Sequence, residues 1–319
     1  KINLDAPFGI YWPDFAGTEK GNIPVRDYLT HQARLPAWIP FWRMGLDKDR
    51  NLNHEIFSTQ PSELFNIRVS AQLYLNNSFK KNIYDTIRNS TLLPLKRYVY
   101  SDLSFHLFPE IISNLTGVPY EEYISENFFK PLGAMSATYN PYMHFPLERI
   151  VPTETDDYFR KEKIHGFVHD EGAAMLGGIS GNAGLFGTAT DLAKIFQMYL
   201  QKGYFAGKQF ISVPTIEEFT RIQFRENKNR RGLGFDKPYI DNHKNELKDA
   251  YPAVSASKNS FGHTGFTGTM AWADPDSGIL FIFMSNRVHP SRNNSALTEL
   301  NIRPAMHQAI YDSILAPEL

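Results

Sequence analysis

Apolar residues recur at helical spacing in the middle of the chain, most clearly in "DLSFHLFPEIISNLT" at 102–116. Its apolar positions fall three and four residues apart: Leu103, Leu107, Phe108, Ile111, Ile112 and Leu115. The pattern predicts a helix with Asp102 as its N-cap and Gly117 just after its last turn. Pro109 lies inside the pattern and should kink this helix or cost roughly 3 kcal/mol.

Four other segments also carry a helical pattern or helix end signals. They are "IPVRDYLTH" (23–31), with Pro24 near its start, then 62–75, where a helix is favoured over a strand, 190–202, closed by Gly203, and 304–315, opening on Pro304. In the last third, "GFTGTMAWADPDSGILFIFMSNR" (265–287) predicts two strands joined by a turn at "DPDSG". The glycine-rich run 175–187 predicts close backbone approach around a cleft. Together these elements indicate an α/β (α+β) fold.

Composition narrows the classes of protein only a little. The 319 residues are 42% hydrophobic and 21% charged, as in ordinary globular proteins, and 14% are aromatic, which favours a well-filled core. The net charge of −1 gives no electrostatic signature of nucleic-acid binding. The absence of cysteine excludes disulfides and thiolate chemistry. No apolar run approaches the roughly 20 residues that a membrane span needs.

The first candidate for chemistry is the tripeptide Tyr100-Ser101-Asp102, within "YVYSDLSFHLF" at 98–108. A phenol near a cation loses its proton more easily and can act as a base. An Asp two residues on, in the first helical turn, can hydrogen-bond a partner or a substrate. The structural alternative is a buried tyrosine followed by a helix cap.

The second candidate is "SFGHTGFTGTMAW" at 260–272, with glycines at 262, 265 and 268 just before a strand. Glycine there lets a ligand or another backbone come close, and His263 and Thr264 offer an imidazole and a hydroxyl on that approach. Such a strand edge could bind an extended acyl substrate and point a backbone N–H at a developing oxyanion. The structural alternative is a turn that leads into a core strand.

Taken together, the two stretches resemble the second and third motifs of the serine β-lactamase and penicillin-binding-protein family. The likeness is to its class C and esterase-type branch, where Tyr-x-Asn and Lys/His-Thr-Gly recur in this order. "LTHQARLP" (29–36), "FFKPLGAMSATYNP" (128–141) and "GNAGLFGTATDLAKIFQMYL" (181–200) are also similar to that family, so the resemblance covers nearly the whole chain. "HGFVHDEGAAMLGGISGNAGLF" and "GHTGFTGTMAWADP" most resemble the β-lactamase-type domain that follows a family 3 glycoside hydrolase domain in bacterial envelope proteins.

The resemblance implies one β-lactamase/transpeptidase-like unit over 1–319, mostly helical to about 230 and with sheet strands and a C-terminal helix from about 231. The implied active site, in the cleft beside a helical domain, transfers acyl groups through a serine ester without metal or organic cofactor. Tyr100 would shuttle the proton and Asp102 would position a lysine and the substrate. The implied substrate-binding residues are Ser101, His263, Thr264, Gly265 and Phe266, with the Phe266 N–H as half of the oxyanion hole.

The family's first motif, Ser-x-x-Lys, carries the nucleophile and its base. Only "SFKK" (78–81) and "SASK" (255–258) match it in this sequence. We expect neither to open an apolar helix, and both lie in polar surroundings. The expected motif therefore lies before "KINLDAP", with the first strands of the sheet, so that the chain is a truncated and inactive hydrolase and the strand near 279–286 has an unpaired edge.

Smaller departures from the family change the expected chemistry. Asp102 replaces the usual Asn and would pair with a lysine rather than offer an amide N–H. His263 replaces Lys, so its charge would depend on pH. Gln32-Ala33-Arg34 replaces Thr-Ser-Gly, and Pro109 interrupts the family helix.

Other functions stay open at this point. His165 and His169 have a spacing that can bind zinc on a helix, although Gly166 and Gly172 argue against one. The acidic pairs Glu121-Glu122 and Asp156-Asp157 would suit a glycosidase only if their carboxylates converged. A non-catalytic binding module beside a glycoside hydrolase is the rival from another class. The resemblance implies a small-molecule or peptide acyl substrate and a bacterial periplasm or cell envelope.

Overall fold

A computed structural model describes residues 1–315 of the chain. Its contacts divide the chain into two compact units. Unit 1 comprises residues 1–127, 137–186 and 289–291, and unit 2 comprises 128–136, 187–288 and the described residues from 292 onward. The prediction of a single unit, mostly helical to about residue 230 and followed by sheet strands and a C-terminal helix, stays a prediction.

Unit 1 combines five α-helices with two small antiparallel sheets among the described residues. In chain order, these elements are α1 (Val25–Leu29), β1 (Phe57–Ser58), β2 (Ile67–Arg68), β3 (Tyr74–Leu75), α2 (Phe79–Asn89), α3 (Leu103–Thr116), α4 (Tyr120–Ile124), β4 (Pro152–Asp156), β5 (Glu162–His165) and α5 (Glu171–Met175). Short 3-10 helices lie at Phe8–Ile10, Pro13–Phe15, Phe41–Gly45, Pro141–Met143 and Leu147–Arg149, and a π-helical turn spans Ser125–Phe129. The predicted helix at 23–31 is confirmed by α1.

Aromatic side chains fill the core of unit 1. The rings of Phe8 and Tyr28 stack with centroids 3.9 Å apart, and Phe15 packs against the Phe8 ring at 5.7 Å. Phe41 and Phe57 are buried in the same cluster. The high aromatic content thus supplies a well-filled core, as predicted, because each such ring buries a large apolar area.

The prediction of a helix over 62–75 is wrong. The segment forms β2 and β3, which pair antiparallel within a sheet of order β1-β3-β2. Between them the chain reverses, and the Val69 N–H donates to the Leu73 carbonyl at 2.8 Å. Ile67 and Val69 before the turn, and Leu73 and Leu75 after it, each follow a period of two. When the residues before and after the turn are taken as one continuous segment, their apolar positions have the spacing of a helix.

Helix α3 confirms the pattern at 102–116 but not its predicted cap. Gly117 ends the helix in the left-handed conformation, with φ of 75°. Asp102 occupies the N-cap position but its side chain makes no capping hydrogen bond, while the Leu103 N–H donates to the Ser101 hydroxyl at 3.3 Å. The carboxylate of Asp102 is therefore available to the candidate site.

Pro109 within α3 has a specific structural consequence. Because proline lacks an N–H, the Phe105 carbonyl four residues earlier loses its helical partner. The Gly181 N–H donates to that carbonyl instead, at 3.1 Å. A Cβ on Gly181 would lie 2.6 Å from the same oxygen, so only glycine allows this approach. The close backbone approach predicted for 175–187 is confirmed, and it ties this loop to the start of α3.

Unit 2 is built around a three-stranded antiparallel sheet. Its elements in chain order are α6 (Ala189–Leu200), β6 (Tyr204–Phe205), β7 (Lys208–Gln209), α7 (Val213–Thr220), β8 (Phe261–Thr264), β9 (Met270–Asp274), β10 (Ile279–Phe283), α8 (Ala296–Glu299) and α9 (Ile302–Leu315). Short 3-10 helices lie at Arg225–Asn227, Asn242–Lys244 and Leu247–Asp249. The predicted helices at 190–202 and 304–315, and the hairpin at 265–287, are confirmed by α6, α9 and β9–β10.

The sheet of unit 2 has the order β10-β9-β8 and is covered on both faces. Ala271 and Ala273 of β9 face α6 and pack in one cluster with Phe196. Trp272 points to the opposite face, where the ring of His307 from α9 stacks on Phe281 of β10 at 4.5 Å. This alternation explains why all five residues of β9 are buried.

Strand β10 lies at the edge of this sheet. Within residues 1–315 its only ladder partner is β9, from Ile279 opposite Asp274 to Phe283 opposite Met270. The predicted unpaired edge near 279–286 is therefore confirmed for the described residues.

We expect Gly181→Ala to destabilise unit 1 by about 1–3 kcal/mol, because the added methyl group would overlap the Phe105 carbonyl. Gly117→Ala is the matched control, since its Cβ would meet nothing within 4 Å and only its left-handed φ would be strained. Hydrogen exchange and urea unfolding measure both effects. Fast exchange of the amide at position 181 in the parent, or equal destabilisation by the two variants, would contradict the role given to Gly181.

Candidate active site

The segment that holds Tyr100 and Asp102 runs beside residues 31–37. The Val99 N–H donates to the His31 carbonyl at 3.0 Å, and the Asp102 N–H donates to the Ala37 carbonyl at 3.2 Å. Ser101 is buried, and its hydroxyl donates to the Pro36 carbonyl at 2.7 Å. These bonds fix the start of α3 and give the Ser101 hydroxyl a structural role. A substrate contact for Ser101 stays a prediction.

Tyr100 is the exposed member of this group. Its side chain is 40% exposed, and its ring lies against the His31 imidazole with centroids 4.3 Å apart. The imidazole Nδ1 lies 3.1 Å from both the backbone N and O of Ser101. The Tyr100 phenol is thus exposed to solvent, while the backbone of its neighbours Val99 and Ser101 is fixed by hydrogen bonds with His31.

Asp102 lies in a partly buried position beside a second carboxylate. Burial, together with the negative charge of Asp170, raises the pKa of Asp102 to about 7, and a hydrogen bond from Asn182 opposes that shift. A carboxyl group with a pKa near neutrality can exchange a proton at the pH where enzymes work. Since no lysine contributes to this pKa, the predicted lysine pairing of Asp102 stays a prediction.

Asp170 is fixed in place by its own helix. It caps α5, where its Oδ1 accepts from the Ala173 N–H at 2.7 Å. The residues before it are held by Arg160, whose guanidinium donates to the Val168 carbonyl at 2.8 Å and to the His169 carbonyl at 2.7 Å. Arg160 also forms a fully buried ion pair with Asp156 at 2.8 Å. The negative charge beside Asp102 is therefore rigidly placed.

A chain of polar side chains leads from Asp102 into the interior of unit 1. Ser180 Oγ lies 2.6 Å from Asn182 Oδ1, and His106 Nδ1 lies 3.0 Å from Ser180 Oγ. His106 and Ser180 are 2% and 1% exposed. Burial lowers the pKa of His106 more than the Asp170 charge raises it, so the ring is neutral at pH 7.

In unit 2, His263 and Thr264 end strand β8. On one side β8 pairs with β9, with His263 opposite Ala271, and on the other Gly262 pairs with Asp236. His263 Nδ1–H donates to the Thr264 carbonyl at 2.8 Å. Burial and the charge of Arg231 lower the pKa of His263, against the pull of Asp236. A neutral imidazole at pH 7 follows, so His263 supplies no cation in the place where the family pattern has lysine.

Arginines supply the positive charge beside the glycines of this motif. Arg303 of α9 donates to the Gly265 and Thr269 carbonyls at 3.2 and 3.1 Å. Arg287 donates to the Phe266 carbonyl at 2.8 Å, and its guanidinium lies 4.4 Å from the centre of the Phe266 ring. Phe266 is 60% exposed. Neither arginine was predicted from the sequence, because nothing in the spacing of Arg287 and Arg303 from His263 shows that they lie beside it.

Neither Ser-x-x-Lys match has the geometry of a nucleophile and its base. The expectation that neither opens an apolar helix is confirmed, because α2, which Ser78 directly precedes, is mostly polar and buries only Phe79, Ile83 and Ile87. Ser78 and Lys81 are exposed, and they bond to Asn76 and Asp85 respectively rather than to each other. The second match is also exposed, and the Ser255 hydroxyl accepts from Gln308 at 2.7 Å.

The two histidines considered as zinc ligands have structural partners. His165 ends strand β5, so the helical spacing that zinc would need is not formed, and His165 Nε2 lies 2.6 Å from the Ile150 carbonyl. His169 contacts Glu154 at 2.8 Å. Within residues 1–315, no group of three or more His, Cys, Asp or Glu side chains is placed to hold a metal ion.

Comparison with known proteins identifies the family of this chain. The family model described as Beta-lactamase matches residues 1–302. A curated relative named "Putative D-alanyl-D-alanine carboxypeptidase", from Escherichia coli strain K12, is 27% identical over 99% of this chain and 71% of its own length. The counterpart from Escherichia coli O157:H7 is 27% identical over 76% of this chain and 61% of its own length. The chain thus spans about two thirds of the length of these relatives.

Solved structures share the fold. A class C beta-lactamase superposes with a TM-score of 0.61 at 15% identity, covering 100% of this chain and 76% of its own. A penicillin-binding-protein homologue from Caulobacter crescentus superposes with a TM-score of 0.60 at 16% identity, covering 98% and 77%. The chain belongs to the beta-lactamase family, and the predicted β-lactamase/transpeptidase-like fold is confirmed.

Sequence reasoning missed most of the side chains around Asp102. Asp170 and Asn182 lie in stretches that were singled out for their histidines and glycines, and His106 and Ser180 gave no separate signal. The helix-capping pattern before "EGAAM" could have located Asp170, since aspartate is a preferred N-cap. Nothing in the spacing of these residues shows that they converge.

We expect Asp102→Asn to make the stability of unit 1 less sensitive to pH. The pKa of Asp102 is raised on folding, so its stabilising contribution is present below pH 4 and is lost as the pH rises toward 7. The variant should exceed the parent by about 1–3 kcal/mol at pH 8 and should match it more closely at pH 4. Urea unfolding at both pH values measures this, with exposed Asp157→Asn as control. Equal pH sensitivity in the parent and Asp102→Asn would contradict it.

Proposed function

We propose that the chain is the acyl-transfer part of a serine hydrolase in which Tyr100 and Asp102 handle protons. The observation that carries the proposal is the pairing of an exposed phenol with a carboxyl group whose pKa is about 7, both at the start of α3. Membership of the beta-lactamase family supports it. General acid–base groups with pKa values near the working pH contribute most to proton transfer.

The proposed roles follow from the exposure and contacts of each group. Tyr100 moves a proton between the nucleophile and the leaving group. Asp102 positions a lysine and takes part in the same proton exchange. His263, Thr264, Gly265 and Phe266 bind the acyl substrate. Because His263 is neutral at pH 7, the substrate's carboxylate is recognised by neutral donors together with the nearby arginine charges.

The proposed substrate is a short peptide that ends in a D-amino acid. Support comes from the curated relatives, which are named as D-alanyl-D-alanine carboxypeptidases. Small esters and β-lactams are the alternative acyl donors. The proposed location is the bacterial periplasm or cell envelope, and the proposed neighbour in the same protein is an upstream glycoside hydrolase domain. Within residues 1–315, no helix has the length and apolarity to cross a membrane.

We propose that the nucleophilic serine and its lysine lie outside residues 1–319. The contacts of Ser78 with Asn76 and of Ser255 with Gln308 support this, because each hydroxyl bonds to an amide side chain and not to a lysine. The same observation favours a second candidate function, a non-catalytic binding module beside a glycoside hydrolase. Turnover by the full-length protein separates the two functions.

We expect Tyr100→Phe in the full-length protein to lower kcat/KM by about 10²–10⁴-fold, the usual contribution of a general acid–base group. The substrates are a peptide ending in D-alanyl-D-alanine, p-nitrophenyl acetate and a chromogenic cephalosporin. Tyr98→Phe is the matched control, because it removes the neighbouring phenol and should leave turnover unchanged. Lack of turnover by the folded parent on all three substrates would contradict acyl transfer and favour the binding module. Equal activity of Tyr100→Phe and parent would contradict the role of Tyr100.

A further inference from the structure

The polar chain behind Asp102 has a fixed hydrogen-bond direction. A carboxylate only accepts hydrogen bonds, so Asn182 must turn its amide NH₂ toward Asp102. Asn182 Oδ1 then faces Ser180 and takes the single hydroxyl proton at 2.6 Å. Ser180 Oγ is left as an acceptor for His106, which must carry its proton on Nδ1. The direction of each bond in this chain is therefore fixed while Asp102 is ionised.

We propose that His106, Ser180 and Asn182 are positioning residues that form a one-way hydrogen-bond relay onto Asp102, and that this relay together with Asp170 sets the orientation and charge of its carboxyl group. The inference rests on the proposed function only in taking Asp102 as catalytic. Asn182 favours the carboxylate by donating to it, and Asp170 disfavours it by its like charge. The two opposed influences would hold Asp102 ready to gain or lose a proton.

The surroundings keep the inner half of this relay, His106 and Ser180, away from water. His106 and Ser180 are buried, and Gly172 of α5 lies against the His106 ring, where a Cβ would approach Nε2 to 3.1 Å. The titratable groups that face Asp102 are Asp170 from the start of α5 and, through the relay, His106 from α3 itself. A buried network in which every member has a partner holds a single arrangement.

The loop that supplies Ser180 and Asn182 has a backbone anchor of its own. Gly181, between them, donates its N–H to the Phe105 carbonyl that Pro109 leaves without a helical partner. Tyr139 holds the same loop by donating to the Ser180 carbonyl at 3.0 Å. The relay residues are therefore positioned by contacts that do not involve their own side chains, and each side chain can be removed without releasing the loop.

The test is the titration of Asp102, followed by carboxyl ¹³C NMR in the 319-residue chain. Removing the donor with Asn182→Ala should raise the titration midpoint by about one pH unit. Asp170→Asn should lower the midpoint, because it removes the like charge and keeps an N-cap that can still accept from Ala173. Opposite shifts from two neighbouring variants are an electrostatic signature that a purely structural role would not give.

The inner half of the relay is tested at Ser180, with Ser104→Ala as the matched control. Among the described residues, the buried Ser104 hydroxyl has no hydrogen-bond partner. Ser180→Ala should raise the Asp102 midpoint and should change the His106 tautomer, read from its ¹⁵N shifts at pH 8, away from Nδ1–H. Ser104→Ala should change neither. Dispersed amide spectra establish that each variant is folded.

The relay would be overturned by an unchanged midpoint in Asn182→Ala, or by the same result for Ser180→Ala and Ser104→Ala. A His106 proton on Nε2 in the parent at pH 8 would also overturn it. None of these measurements requires turnover, so they are independent of whether the full-length protein transfers acyl groups. Conversely, lack of turnover with the predicted midpoint shifts would remove the proposed function and leave the relay as a structural finding.

Discussion

The hydrogen bond from the Gly181 N–H to the Phe105 carbonyl is the interaction on which the candidate site in unit 1 depends. It exists because Pro109 cannot donate within α3 and because Gly181 has no side chain to keep the loop away. The residue on either side of Gly181 then faces the start of α3. In an isolated helix, the unpaired Phe105 carbonyl would lower stability. Here it accepts the hydrogen bond that attaches the loop carrying Asn182 to α3.

The loop held by this hydrogen bond determines the surroundings of Asp102, and those surroundings determine its pKa. Burial and the charge of Asp170 raise the pKa of Asp102, and the hydrogen bond from Asn182 lowers it. The net result is a pKa of about 7. Tyr100, two residues earlier, is exposed because the segment at 98–102 is held by residues 31–37. Arg34 in that segment has a φ of 61°, where the family pattern has glycine, and its side chain bonds Glu19 and the Leu93 carbonyl at 2.6 Å each. These bonds offset the strain of a left-handed arginine.

The sequence predicted the elements whose signals are local. Helix α3, its end at Gly117, and the β9–β10 hairpin follow from periodicity and turn residues within one segment. The strands at 67–68 and 74–75 were mistaken for a helix because their two short alternating runs meet across a turn. The convergence of Asp170 and Asn182 on Asp102 could not be predicted, since it depends on contacts between residues that are far apart in the chain. The lowered pKa of His263 likewise depends on Arg231 and on burial, which the motif alone does not reveal.

The central proposal is that proton-handling groups of an acyl-transfer enzyme lie in this chain and that its nucleophile does not. Intact mass after treatment with a fluorophosphonate and with a penicillin tests it most directly, with the 319-residue chain and the full-length protein compared. We expect no adduct on the 319-residue chain and one stoichiometric adduct on the full-length protein, mapped to a serine outside these residues. A stoichiometric adduct on Ser78, Ser255 or another residue of this chain, or no adduct on either protein, would contradict the claim.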